Sequence, residues 1–329
     1  MTSGGIRDNL GVDTGVSAMR TFPTVSIVIV SVLASSLGFA AQVPEQRILS
    51  TGGLDRSYFI LTPRNTGARR PVVIALHGGT RPATDIFKDS AWPDVAMRSN
   101  IILVAPQGVN NQWNDGRKHT ASGKTSTADD VGFLSQLIAE LVARDRADPA
   151  RIFLTGASNG GMMSFRFACE RADLLAGFAP TIASMPVAMR EACKPSRPLA
   201  VIMIAGTADP LMTYDGVPAR RLIQRPQDPM SGIPETFAFW VRVNGCGSPA
   251  QEVNLPDLNP ADGSTVTVLA GVNCAAARAT LLRVNGGGHR EPSRSRAREG
   301  GSAVARMLGP QNRDVEAATV IWSFFSADR

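Results

Sequence analysis

A short glycine-flanked pattern near the middle of the chain has the residue types needed for nucleophilic chemistry. Residues 156–160 read Gly-Ala-Ser-Asn-Gly, which fits Gly-x-Ser-x-Gly. In a tight turn from strand to helix, small residues let the backbone cross closely and the serine hydroxyl projects outward. An apolar run precedes the pattern and a helical pattern follows it, so we predict that Ser158 is a nucleophile. The alternative is a glycine-rich turn without chemistry.

A serine hydroxyl is a weak nucleophile unless a base takes its proton. The chain has three histidines. His289 ends a Gly-Gly-Gly-His loop, whose glycines allow a sharp turn that places the imidazole over the serine. His77 opens a His-Gly-Gly turn and is expected to brace it, and His119 lies in a polar loop and is expected to be exposed. We therefore predict His289 as the base.

A carboxylate is needed to hold the imidazole in the correct tautomer. Asp209 follows an apolar run in the turn Gly-Thr-Ala-Asp-Pro, and Asp215 is the nearby competitor. The position at a strand end favours Asp209. The resulting order, Ser158, Asp209 and His289, is the chain order of α/β-hydrolases.

The negative charge that develops on a substrate oxygen requires backbone N–H donors already in place. The residue after the serine, Asn159, supplies one donor. The second is expected from the His-Gly-Gly-Thr turn, where we favour Gly79 over Thr80.

Apolar runs and helical patterns alternate along the chain. Strands are predicted at 56–61, 71–76, 100–105, 151–155, 199–205 and 279–284. Helical spacing is seen at 133–142, after Ser158, at 237–241 and at 315–325. This alternation predicts an α/β fold with a mostly parallel, doubly wound sheet and helices on both faces. Two polar segments, 107–127 and 290–311, follow predicted strand ends, where such folds bind ligands.

The N-terminal segment has the features of an export signal. Arg20 precedes an apolar stretch over 25–41 that ends in small residues. We predict a signal peptide over 1–41, with Met19 as an alternative start, and a single catalytic domain over 42–329. The protein is then secreted, extracellular or periplasmic, with no stable membrane anchor after cleavage. The alternative is an uncleaved anchor.

The chain has four cysteines, and export favours disulfides among them. Three pairings are possible. Closeness in sequence favours Cys169 with Cys193 and Cys246 with Cys274, and the alternative is buried free thiols. No Cys-x-x-Cys or Cys/His spacing is present, so neither a metal nor a cofactor is predicted.

Composition narrows the class of partner. Hydrophobic residues make up 43% of the chain, enough for a sizeable core, and the formal net charge is +6. Arginines are scattered, which favours a solvated surface over a nucleic-acid patch. Oligomeric state is left open.

Taken in order, several motifs resemble the polyhydroxybutyrate depolymerase and feruloyl esterase family, which includes secreted LpqC-like esterases. The motifs are Arg-Ser-Tyr-Phe at 56–59, Leu-His-Gly-Gly at 76–79, Ala-Pro-Gln-Gly at 105–108, Trp-Asn at 113–114, Asp-Val-Gly-Phe-Leu at 130–134, Thr-Gly-Ala-Ser-Asn-Gly-Gly-Met-Met at 155–163, Gly-Thr-Ala-Asp-Pro at 206–210, Asn-Gly-Cys at 244–246 and Gly-Gly-Gly-His at 286–289. The resemblance runs from about residue 48 to the C-terminus.

The resemblance implies catalytic roles for the serine, aspartate and histidine named above. It further implies that Trp113 and Asn114 line the acyl or aromatic subsite, with loop packing as the alternative for Trp113. The family carries an aromatic residue shortly after the histidine, where this chain reads Arg-Glu-Pro-Ser-Arg at 290–294. That Arg290 or Arg294 attracts a substrate carboxylate is a hypothesis.

The expected function is hydrolysis of a carboxylic ester through an acyl-enzyme. Hydroxyalkanoate oligomers and feruloyl or acetyl esters are the expected substrates. The alternatives are a peptidase of the same fold and a non-catalytic binding protein on a hydrolase scaffold.

Overall fold

The computed structural model describes residues 43–63, 67–120, 123–216, 228–295 and 303–327. The predicted signal peptide over 1–41 lies outside the described residues. Within the described ranges, no helix combines the length and apolar character needed to cross a membrane.

Ten strands of the described residues form one sheet, in the order β1-β2-β4-β3-β5-β6-β7-β10-β9-β8. The strands are β1 (Glu45–Thr51), β2 (Leu54–Leu61), β3 (Arg70–Leu76), β4 (Ile102–Pro106), β5 (Ala147–Ala157), β6 (Gly177–Thr181), β7 (Ala200–Gly206), β8 (Gly247–Asn254), β9 (Thr265–Val272) and β10 (Ala279–Asn285). The six central strands pair in parallel, in the sheet order β4, β3, β5, β6, β7 and β10. The outer strands β1, β2, β8 and β9 pair antiparallel with their neighbours.

Helices cover both faces of this sheet. The described helices are α1 (Asp85–Asp89), α2 (Trp92–Ser99), α3 (Asp130–Arg144), α4 (Asn159–Glu170), α5 (Val187–Ala192), α6 (Ile233–Val243), α7 (Ala303–Leu308) and α8 (Ala317–Ser326). Side chains of α3, α4 and α6 pack on one face, where they meet Val72 and Ile74 of β3. Side chains of α2 and α8 pack on the other face, where they meet Val73. The predicted doubly wound α/β fold is confirmed.

The central strands are apolar throughout because both of their faces are covered. All seven residues of β3 and all five of β4 are buried. Continuous apolar runs of this kind predict strands inside a parallel sheet, and the predicted runs coincide with β3, β4, β5, β7 and β10.

Several elements carry no such signal and were not predicted. The outer strands β1, β8 and β9 have one face or edge toward solvent and read as polar or mixed sequence. Strand β6 is fully buried, yet its sequence Gly-Phe-Ala-Pro-Thr contains two residues that disfavour strands. The predicted loop at 290–311 contains the short helix α7.

Both disulfides follow the pairing that sequence proximity favours. Cys169 near the end of α4 is bonded to Cys193 after α5. Cys246 before β8 is bonded to Cys274 after β9. The first bond ties α5 to the helix that begins next to Ser158, and the second closes the β8–β9 hairpin at its open end.

Candidate active site

Ser158 lies in a strained turn between β5 and α4. Its φ of 55° and ψ of −118° are sparsely populated for a residue with a side chain. Two contacts hold the backbone there: its N–H donates to Thr181 O at 2.9 Å, and its O accepts from Met162 N at 2.9 Å. Only glycine fits at Gly160, because a Cβ would lie 2.6 Å from His77 O. The sequence pattern therefore folds as the tight strand-to-helix turn that a nucleophilic serine requires.

Asp209 and His289 follow β7 and β10, which are neighbours in the sheet. Because the carboxyl ends of parallel strands meet at one edge, both residues reach the turn after β5. The loops that carry them are tied together, since Ala208 N donates to Gly287 O at 2.9 Å. The structure thus brings together three residues that lie far apart in the sequence.

These three side chains form a continuous hydrogen-bonded line. His289 Nε2 is 2.9 Å from Ser158 Oγ, and His289 Nδ1 is 2.7 Å from Asp209 Oδ2. A carboxylate only accepts, so Nδ1 donates to Asp209 and Nε2 is left to accept from the serine hydroxyl. The competing carboxylate, Asp215, is exposed and belongs to no such line.

The backbone N–H groups of Asn159, which follows Ser158, and of Gly79 have no acceptor among the described residues. A Cβ added to Gly79 would lie 3.5 Å from Asn159 Cβ, so the two residues are neighbours. Thr80 N donates to Asn111 O at 2.7 Å and is therefore occupied. This geometry favours Gly79 over Thr80 as the second donor to an oxyanion.

His77 is buried and braces two turns, as expected. Its Nε2 accepts from Gly108 N at 2.9 Å, so its Nδ1 is the protonated nitrogen and donates to Gly78 O at 2.8 Å. Burial lowers the pKa of His77, which keeps the ring neutral. His119 is exposed and lies 3.1 Å from Asp228. Neither histidine is placed to act on the serine.

The structure supports the packing alternative for Trp113. The side chain is 1% exposed, its ring centroid lies 5.0 Å from that of His77, and its indole N–H donates to His77 O at 2.9 Å. Trp113 therefore packs in the core with His77, and a role for it in a substrate subsite stays a prediction. Asn114 is half-buried, and its side-chain amide donates to Ala128 O at 2.9 Å. That bond holds the loop in place.

The side chain of Asn159 makes contacts that sequence analysis did not anticipate. Its Oδ1 accepts from Trp113 N at 2.8 Å, and its Nδ2 donates to Trp113 O at 3.1 Å and to Asp115 Oδ2 at 2.7 Å. Asp115 is in turn paired with Arg117. One residue therefore offers its backbone N–H to the site and uses its side chain to hold the loop after β4.

A buried ion pair supports the same loop from below. Arg56 lies 2.6 Å from Asp130 Oδ1, and Asn114 N donates to Asp130 Oδ2 at 2.6 Å. Burial raises the pKa of Asp130, and the Asn114 N–H and Arg56 act against that rise. The neighbouring Asp129 caps α3, where its side chain accepts from Gly132 N, whereas Asp130 supports the loop.

A cavity of about 400 Å³ lies beside the histidine loop. Arg290, Arg306 and Arg313 are among its lining residues, and the lining does not include Ser158, Asp209 or His289. No group of three or more His, Cys, Asp or Glu side chains in the described ranges could hold a metal ion.

No family model matches the chain. It is 30% identical over 228 residues to NocK of Nocardia uniformis subsp. tsuyamanensis, a protein named as an esterase. The aligned region covers 68% of this chain and 66% of NocK. It is 29% identical over 229 residues to feruloyl esterase B of Piromyces equi, covering 67% of this chain and 40% of that protein. It is 28% identical over 124 residues to a poly(3-hydroxybutyrate) depolymerase of Ralstonia pickettii, covering 35% of this chain and 25% of the other.

These matches span less than two thirds of each relative. Among solved structures, an acetyl xylan esterase from Aspergillus awamori superposes with a TM-score of 0.51 at 15% identity, covering 74% of this chain and 94% of that one. That likeness shows the fold.

Proposed function

We propose that the chain belongs to the α/β-hydrolase family that includes feruloyl esterases and polyhydroxybutyrate depolymerases, and that it hydrolyses carboxylic esters through an acyl-enzyme. The observation that carries this proposal is the line from Asp209 through His289 to Ser158, with distances of 2.7 Å and 2.9 Å. A base within hydrogen-bond reach of a hydroxyl, and oriented by a third group, is the arrangement that activates a serine.

The reaction begins when Ser158 Oγ attacks the ester carbonyl carbon while its proton passes to His289 Nε2. The carbonyl oxygen becomes an oxyanion, and the N–H groups of Asn159 and Gly79 donate to it. The intermediate collapses when the bond to the alcohol oxygen breaks, and the alcohol leaves with the proton from His289. Asp209 stabilises the imidazolium that forms between these steps.

Water then repeats the sequence on the acyl-enzyme. His289 takes a proton from the water as its oxygen attacks the acyl carbon. The second intermediate releases the carboxylic acid, and Ser158 recovers its proton from His289. The enzyme returns to its starting state without a cofactor.

The names of the relatives support the substrate class. They include a feruloyl esterase and a poly(3-hydroxybutyrate) depolymerase, so feruloyl or acetyl esters and hydroxyalkanoate oligomers are the proposed substrates.

We propose that the protein is exported by a signal peptide over 1–41 and acts as a single domain over 42–329, outside the cytoplasm. The two disulfides support this proposal, because such bonds persist in oxidising compartments.

The test is a panel of p-nitrophenyl acetate and butyrate, methyl ferulate, a 3-hydroxybutyrate dimer and peptide anilides, assayed with the wild type and with Ser158→Ala. We expect ester turnover and fluorophosphonate labelling in the wild type, and neither in Ser158→Ala. Ser323→Ala, at an exposed serine of α8, is the matched control and keeps both.

Two results contradict the proposal. Faster turnover of peptide anilides than of every ester would make the protein a peptidase. Ester binding without turnover or labelling in the wild type would make it a binding protein.

A further inference from the structure

A carboxyl group that the proposed mechanism does not use lies against the serine turn. Glu291, two residues after His289, has its Oε1 2.8 Å from Thr181 Oγ1. Thr181 Oγ1 is also 3.1 Å from Gly156 O. The carboxyl, the hydroxyl and the carbonyl form a chain that ends two residues before the nucleophile.

Thr181 has a second link to the nucleophile. It ends β6, which is adjacent to β5 in the sheet, and its backbone O accepts the N–H of Ser158 at 2.9 Å. The side chain of Thr181 therefore contacts Gly156, and its main chain contacts Ser158, both in the turn where Ser158 has its strained backbone angles. Anything that fixes Thr181 also fixes that turn.

The number of protons available to these three hydrogen-bonded groups decides whether Glu291 is ionised or neutral. The Thr181 hydroxyl has one proton, and the Gly156 carbonyl only accepts. If Glu291 is ionised, the buried Gly156 carbonyl and the half-buried Glu291 carboxylate compete for that proton, and one of them is left without this donor, which is costly. If Glu291 is a neutral acid, its O–H donates to Thr181 and the Thr181 O–H donates to Gly156 O. Every group in the chain is then paired.

The largest effect of the surroundings on the Glu291 carboxyl favours the neutral acid. Burial raises the pKa of Glu291, and the Thr181 hydroxyl acts against that rise. The titratable groups that face it are Glu316, which raises the pKa of Glu291, and His289, which lowers it. Glu316 precedes α8, and its Oε2 accepts from the backbone N–H of Arg294 at 3.1 Å.

We infer that Glu291 is a positioning residue which, as a neutral carboxylic acid, donates to Thr181 and thereby fixes the turn that carries Ser158. The inference rests on the proposed esterase function and deepens it. Glu291 does not touch substrate, so its removal acts on kcat through the placement of Ser158 and leaves KM unchanged.

The test compares Glu291→Gln, whose side-chain amide can donate to Thr181 as the neutral acid does, with Glu291→Leu, which cannot. kcat and KM for p-nitrophenyl acetate are measured from about pH 5 to about pH 10, a range that covers the ionisation of a buried acid. We expect Glu291→Gln to keep the neutral-pH kcat of the wild type and to lack the fall in kcat that the wild type shows at alkaline pH. Loss of one buried hydrogen bond is expected to lower kcat of Glu291→Leu about tenfold.

Infrared difference spectra between the wild type and Glu291→Gln at neutral pH read the proton directly, without any need for activity. A protonated carboxyl band in the wild type is expected.

Absence of that band overturns the inference. A Glu291→Gln variant that loses as much kcat as Glu291→Leu, or that keeps the fall in kcat of the wild type at alkaline pH, also overturns it. Presence of the band in a protein without ester turnover contradicts the esterase proposal alone. Circular dichroism of both variants separates an unfolded protein from a mispositioned serine.

Discussion

Asp209 holds His289 with one oxygen while its other oxygen is fixed by the backbone. Oδ2 lies 2.7 Å from His289 Nδ1, and Oδ1 accepts from Leu211 N at 2.8 Å and Met212 N at 2.7 Å. The carboxylate therefore has one orientation, and it sets one tautomer of the imidazole. The base is in place before any substrate arrives.

Asp209→Asn is expected to lower kcat for p-nitrophenyl acetate by about 10³- to 10⁴-fold, because an amide can donate to Nδ1 and stabilise the wrong tautomer. Asp215→Asn is the matched control, since Asp215 is exposed and six residues away. Steady-state kinetics of both variants check the assignment. An equal loss in Asp215→Asn would show that the wrong carboxylate has been assigned.

Trp113→Phe is expected to lower the free energy of unfolding by about 1–2 kcal/mol, because the indole N–H bond to His77 O is lost. Trp240→Phe is the control: Trp240 is also buried, but its indole N–H has no partner in the described residues, so its loss is smaller. Urea unfolding measures both variants. The ratio of kcat/KM for feruloyl over acetyl esters should stay at the wild-type value, and a changed ratio with unchanged stability would restore the subsite interpretation.

His77 is expected to make the protein less stable in acid. Burial lowers its pKa in the folded state below 6.5, the usual value, so the unfolded chain binds the proton more readily. The stability that the neutral ring contributes is full above pH 6.5 and is lost as the pH falls below it. One proton gives a slope of up to about 1.4 kcal/mol per pH unit.

Urea unfolding at a series of pH values compares the wild type with His77→Gln. The difference between them should depend on pH only on the acid side of the usual histidine value. A pH-independent difference in His77→Gln would contradict the neutral, buried ring.

Removal of the bond between Cys246 and Cys274 by a double substitution to alanine is expected to lower the free energy of unfolding. The sequence separation is 28 residues. For a loop of that length, the chain-entropy model gives about 3.5 kcal/mol. Urea unfolding of the oxidised wild type and the double variant measures the loss. Because this hairpin is remote from the serine turn, kcat at low temperature should not change, and a large fall in kcat of the folded variant would be evidence against that view.

Arg290→Ala and Arg294→Ala are expected to leave the preference between charged and neutral esters unchanged. Arg290 lines a cavity that does not include the serine, aspartate or histidine, and Arg294 is exposed. The measurement is kcat/KM for p-nitrophenyl acetate and for the p-nitrophenyl ester of succinic acid in each variant. A loss confined to the succinyl ester would establish the carboxylate-binding hypothesis.

The serine turn could be predicted because its signal is local. A buried strand, two glycines and a helix are adjacent in sequence, and they fold into the turn wherever the rest of the chain lies. Asp209 and His289 could be predicted for a related reason: each follows an apolar strand, and parallel strands end at one edge.

The placement of Trp113 and Glu291 could not be predicted, because distant contacts decide it. Trp113 is bound by Asn159, 46 residues away, and Glu291 by Thr181, 110 residues away. From sequence alone, an aromatic residue in a polar loop, such as Trp113, and an acid shortly after a histidine, such as Glu291, are both expected at the surface or in the site. Only the folded chain shows that one enters the core and the other turns under the nucleophile.

Asn159 has a consequence for any attempt to exchange loops between relatives. Its side chain is matched to the backbone of Trp113 and the carboxylate of Asp115, so the loop after β4 is not an independent module. A grafted loop that lacks an acceptor at position 115 would leave one N–H of the buried Asn159 amide unpaired beside Ser158, however well its outer surface suited a new substrate. Successful chimeras should therefore transplant residues 112–117 together with the residue that follows Ser158.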